Sequence, residues 1–450
     1  MTSPRFATRT LRFSPLQVSR HFALAVALAS GTALVGTLGF AAPAHAQKKN
    51  DKAAAKPQYS KEFIDAYKAL EAQINGGADL ATIMPKLEEF IAMSASPDEK
   101  LQAGQMAYTA AIKAQDDKLQ LRGLELMLGS GKVGAEQLGQ FNYIAFQLNY
   151  RLKNTPQARY YLQAAIDNKF TTEQLSDAIM KYQLAQILMS ERKFDEGYAA
   201  LKNAMVARKA EVGTIEQSWF GFGIKTGLDN ELVPQTLDLL QLWLAEDARS
   251  LIWRDSITIT RNMAALDDRG NEEALLDLLR LAREVGTLER GQDYLAFVEI
   301  ARAARYPKEV KEILDKGFAS GAVNRGDTWA NEQLAVANRT LTSDRTELPA
   351  TEAAANKPGA TLAQVMNAAR TFLSYGEYAK AAGFFEKALG MPGAPQAEVL
   401  QRLGIAQVGM GDYDAAIATF AKVKEPARGP VAMLWSAYAK QKQAGVQIGG

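Results

Sequence analysis

Residues 410–420 read MGDYDAAIATF, and residues 375–385 read YGEYAKAAGFF. In each, Tyr follows Gly two positions on, Ala comes three later and Phe four after that (Gly376, Tyr378, Ala381, Phe385; Gly411, Tyr413, Ala416, Phe420). The offset predicts two copies of one unit, each a pair of helices. Glycines 376 and 411 fall where the chain must turn, because a left-handed backbone is cheap only for Gly. Small residues such as Gly404 and Ala381 let two helix backbones approach, and the aromatic residues fill the groove between hairpins.

The flanking residues carry a family resemblance. Val365, Ala368, Ala369 and Phe372 precede the first turn, and Ala388 and Pro392 follow it; Leu400, Leu403 and Gly404 precede the second. This arrangement resembles the tetratricopeptide repeat (TPR), a 34-residue helix–turn–helix. The second copy departs from the pattern at Gln407 and Val423. The resemblance implies an all-α solenoid and protein interaction, and nothing about catalysis.

Further back the pattern loosens and its period lengthens. A small residue followed four later by a bulky one recurs at Ala158/Leu162, Gly197/Leu201 and Ala274/Leu278, while Leu239 and Leu314 keep only the bulky member. The step is near 38 residues. From Ser60 apolar residues recur at helical spacing (Phe63, Tyr67, Leu70, Ile74), and no alternating stretch is long enough for a sheet. The expected fold is therefore an α-solenoid in two parts: a divergent TPR-like array at 60–341 and a TPR pair with a capping helix at 361–450. Residues 342–360 are rich in Thr, Ala and Pro without an apolar period and read as a linker. Helices at 328–341 and 431–442 are expected to cap the two arrays.

The first 46 residues differ from the rest. They hold Arg5, Arg9, Arg12 and Arg20, no acid, an apolar run at 22–40 and Ala44-His45-Ala46. A basic start, an apolar middle and an A-x-A site predict a signal peptide cleaved after Ala46, and hence a periplasmic protein. Residues 47–59 read as a flexible lead-in. The leader carries four of the 52 basic residues and none of the 50 acids, so the remainder has a net charge of about −2. That argues against a nucleic-acid footprint, which needs a basic face. If the leader is retained, the chain is tethered to the membrane instead.

His21 and His45 lie in the leader, and the chain has no Cys. The mature chain thus lacks the residues for Ser-His-Asp or Cys-His catalysis and for the usual zinc, haem or iron–sulfur sites. Ser190-Glu-Arg-Lys193 and Lys225-Thr226-Gly227 match the S-x-x-K and K-T-G motifs of penicillin-binding proteins. The second needs a strand, and none is expected. The acid pairs Asp116-Asp117, Glu88-Glu89 and Glu272-Glu273 lie in no calcium-loop pattern. No catalytic, cofactor or metal residue is expected.

In TPR geometry the first helix of each pair lines the concave groove. That places Met366, Asn367, Arg370, Gln401 and Arg402 on a surface for a protein or peptide partner. The Lys/Asn/Arg carboxylate clamp of chaperone-binding TPR proteins is not reproduced: Met366, Arg370, Arg402, Ala432 and Ser436 stand there. The expected role is a non-catalytic scaffold or adaptor in the bacterial cell envelope. The alternatives are a membrane-tethered assembly factor and a carboxylate-dependent envelope enzyme with a helical collar.

Overall fold

The computed structural model describes residues 57–448, and every described element is an α-helix apart from turns and one isolated bridge between Thr172 and Leu175. The predicted leader and most of the lead-in lie outside the described residues. The chain is an all-α array of TPR-like helical hairpins, in two compact units that part between Thr214 and Ile215. The expected boundary at 342–360 is not where the chain divides.

The first unit holds eight helices in consecutive pairs. They are α1 (Lys61–Asn75) with α2 (Leu80–Met93), α3 (Pro97–Ala114) with α4 (Asp117–Gly129), α5 (Ala135–Arg151) with α6 (Thr155–Asp167), and α7 (Asp177–Ser190) with α8 (Phe194–Val212). Close approach is built from small residues. A Cβ on Gly104 would lie 2.6 Å from the Gly123 carbonyl, so α3 and α4 can cross only with glycine on both sides. Buried Asn149 donates to the Ala145 carbonyl and accepts from Asn154, tying α5 to the turn that follows it.

The second unit begins with α9 (Gln217–Asp229), α10 (Val233–Glu246), α11 (Ser250–Met263), α12 (Glu272–Glu284), α13 (Gly291–Ala301) and α14 (Pro307–Ser320). A long helix, α15 (Thr328–Asn356), follows. Then come α16 (Leu362–Ser374), α17 (Tyr378–Leu389), α18 (Gln396–Met410), α19 (Tyr413–Phe420) and α20 (Arg428–Gln443).

The repeat can be measured by its turns. After the first helix of each pair, one residue takes a left-handed backbone: Gly77, Gln115, Lys153, Arg192, Glu231, Ala265, Arg302, Gly376 and Gly411. Successive members are 34–39 residues apart, except that Arg302 and Gly376 are 74 apart, two steps. The bulky residues Leu162, Leu201, Leu239, Leu278 and Leu314, read from the sequence as the core ladder, are all fully buried.

Three expectations are corrected here. Residues 342–356 are helix, the second half of α15, and not linker. The apolar period fails there because the segment faces solvent, and polar bonds dock it: Asp344 accepts from the Tyr375 hydroxyl and Glu352 pairs with Lys380. The helix expected to end at 341 as a cap runs through to Asn356. Finally, the helix expected to cap the C-terminal pair is enclosed: α20 packs against α10, α11, α12, α18 and α19, with Trp435, Leu434 and Ala439 buried.

Candidate functional site

The groove of the C-terminal repeats is occupied by the chain's own α12. From Ala274 to Ala282 every residue of α12 is buried. Five of the nine are leucines, each stabilising the fold by about 1.5–3 kcal/mol when withdrawn from water. The eight-residue connection 264–271 between α11 and α12 is longer than the three-residue turn of the hairpin before it and the five-residue turn of the hairpin after it. That slack lets α12 sit away from its own hairpin partner.

Two of the nine buried residues are charged, so they need partners. Asp277, with no exposed surface, accepts from three guanidinium groups. Arg280 on α12 lies at 2.7 Å, Arg402 on α18 at 3.2 Å and Arg428 on α20 at 3.0 Å. Arg402 also reaches Glu398 at 2.6 Å and Glu273 at 2.5 Å. Arg280 makes a two-bond pair with Glu309 on α14 at 2.7 and 2.9 Å. The indole N–H of Trp435 donates to the Asp277 carbonyl at 2.9 Å. Burial pushes the Asp277 carboxyl upward, but Arg402, Arg280 and Arg428 outweigh it and hold it below its ordinary value. Burial likewise opposes Glu273, and Arg402 and Arg305 bring it down to about 2. Asp277 and Glu273 are therefore both ionised at neutral pH.

This placement overturns most of the expected partner surface. Met366 is buried, Gln401 and Arg402 have no exposed surface, and Arg370 is half-buried in a two-bond pair with Glu398 at 2.8 and 2.9 Å. Gln401 accepts from Arg428. Asn367 alone of the five is exposed. Asp277 and Glu273 of α12 cover Arg402, while Arg370 is covered by Glu398 of α18.

The corresponding side in the first unit is different. On α3, α5 and α7 one flank carries Gln102, Gln105, Gln140, Gln147, Tyr182 and Gln186, each exposed or half-exposed, together with Ile144 and Ile179, which are partly buried against the core beside them. Tyr143 lies beside Gln147 and Gln183, which brings α5 and α7 together along this flank. The side chains offer amide donors and acceptors and apolar surface, without charge.

The motifs recalling penicillin-binding proteins fall on different helices. Ser190 ends α7 and donates to the Ile187 carbonyl, while Lys225 lies within α9 and pairs with Asp229. Among the described residues no three acidic side chains converge as a metal site, and no helix is long and apolar enough to cross a membrane.

No family model matches the chain, and no curated protein matches it. Solved structures give low-identity likenesses. Naa15/Naa10 bound to HypK-THB is 13% identical over 85% of this chain and 73% of that one, with a TM-score of 0.28. The assembly chaperone of RpL4, Acl4 (residues 1–338), is 13% identical over 78% and 98%, with a TM-score of 0.19. The TPR domain of P58(IPK) is 12% identical over 85% and 99%, with a TM-score of 0.20. Likenesses of this size add nothing to the hairpin repeat seen directly in the chain.

Proposed function

We propose that the protein is a non-catalytic interaction scaffold of the bacterial cell envelope, and that it takes its partner on the α3–α5–α7 flank of the first unit. One observation carries this choice. The second unit's groove is filled by α12, whereas the first unit presents the equivalent flank lined by Gln, Ile and Tyr. Amide side chains without charge suit the backbone N–H and C=O groups of an uncharged peptide segment. The envelope location rests on the leader pattern at residues 1–46. The absence of His and Cys from the mature sequence supports a role without nucleophilic or metal catalysis.

Cross-linking in envelope extracts followed by mass spectrometry tests the site. Replacing Gln147 and Gln186 by Arg should abolish the cross-linked species, and Asn367→Arg should leave it intact. The reverse pattern would return the partner to the C-terminal repeats. Sequencing the N-terminus of the exported form tests the location: a start at Gln47 excludes a tether, and a retained leader would establish one.

A further inference from the structure

The interval between the left-handed turns at Arg302 and Gly376 spans two repeat steps, and α15 occupies it. One turn is missing. Equal steps would put it near Arg339, inside α15, where the chain continues as helix for a length of about 43 Å. We propose that α15 is a repeat hairpin drawn out into one helix, and that it retains a hinge where the turn has been lost.

The residues around that point are poorly suited to a rigid helix. Between Ala337 and Ala355 no described residue is buried. Thr340, Thr342, Ser343 and Thr346 each donate to a carbonyl three or four residues back, competing with the helical ladder. Pro349 removes a donor from the ladder and crowds the turn before it. Segments with few buried contacts and solvent-facing backbone bonds open at low cost. The two ends are anchored. Ala330 and Ala337 are buried beside α14, and Lys380 and Lys387 hold Glu352 and the Ala355 carbonyl at the far end. Between these ends the middle is tied by the Tyr375 hydroxyl on Asp344 and by half-buried Leu348, with no fully buried side chain among its described residues, the arrangement of a strap that bends at one place.

Amide hydrogen exchange on the full chain tests this. Amides of residues 340–350 should exchange roughly 100-fold faster than those of α14 and α16. The double variant Ser343→Ala, Pro349→Ala restores the ladder and should slow them by roughly 10–100-fold. Two results overturn the proposal. Central amides protected as well as α14 would mean a rigid helix. Fast exchange unchanged in the double variant would mean a segment without helix to restore.

Discussion

The guanidinium of Arg402 and the carboxylate of Asp277 meet at 3.2 Å across 125 residues of sequence, with neither exposed to solvent. Arg402 comes from the clearest repeat in the chain and Asp277 from the helix that fills its groove. Removing either partner leaves a buried charge uncompensated. Asp277→Asn and Arg402→Met should each destabilise the second unit by about 3–5 kcal/mol. Urea unfolding of the singles and the double should give a coupling energy of about 0.5–3 kcal/mol. Simple additivity would show that the two do not act on each other.

Acid should weaken the first unit through Glu99. Its buried carboxylate accepts from Ser60 N–H at 2.8 Å, the Ser60 hydroxyl at 2.9 Å, and the Ala95 and Ser96 N–H groups at 3.0 Å. Burial raises its pKa, but these bonds prevail and lower it from 4.5 to about 2. A lowered folded-state value means the contribution is complete above about pH 4.5 and is lost as pH falls towards 2. Glu99→Gln should cost stability at neutral pH and flatten that acid limb in thermal melts. An unchanged limb would remove Glu99 as its source.

Side chains at the left-handed turns should be improvable. Lys153 has φ 60° and Glu231 φ 56°, where a Cβ costs about 1–2 kcal/mol. Part of that gain is offset by the extra freedom of glycine in the unfolded chain. Lys153→Gly and Glu231→Gly should therefore each raise stability by about 0.5–1 kcal/mol. Gly411→Ala, at φ 77°, should lower it by about 1 kcal/mol or more. Calorimetry on the three variants decides the sign.

Two helical glycines should respond oppositely to alanine. A Cβ on Gly409 would come within 2.4 Å of the Tyr378 ring, whereas one on Gly383 meets nothing within 4 Å. Gly409→Ala should destabilise by about 1–3 kcal/mol. Gly383→Ala should stabilise by up to about 1 kcal/mol from helix propensity alone. A loss at both would mean Gly383 serves a contact the packing does not reveal.

Much of the fold was legible because local rules write it locally. Gly376 and Gly411 mark their turns, Leu162 to Leu314 mark the core, and the 38-residue step is real. The site was less legible. Gln401 and Arg402 read as facing an accessible groove because a polar residue on a helix flank defaults to solvent, but Arg402 pairs with Asp277, 125 residues away, and buried Gln401 accepts from Arg428 on α20. Asp277, Arg280, Glu309 and Arg428 were missed for the same reason: three arginines converging on one acid leave no spacing signature. The one available signal was ALLDLLRLA at 274–282, which has too few polar positions to cover a wet face. Residues 342–356 do not read as helix in the sequence because a helix held by ion pairs and hydroxyls lacks an apolar stripe.

The enclosure of α12 also constrains how the chain can be made. Asp277 leaves the ribosome 151 residues before Arg428. At a synthesis rate of about 5–20 residues per second, the leucine-rich helix stays without its final cover for roughly ten seconds or more. A simple solenoid can lose its last repeat and keep the others, because each unit touches only its neighbours. Here the last helix completes the wall around one that was made much earlier. The second unit is therefore finished only by its C-terminus, and a chain stopped short of α20 would be a target for chaperones and proteases.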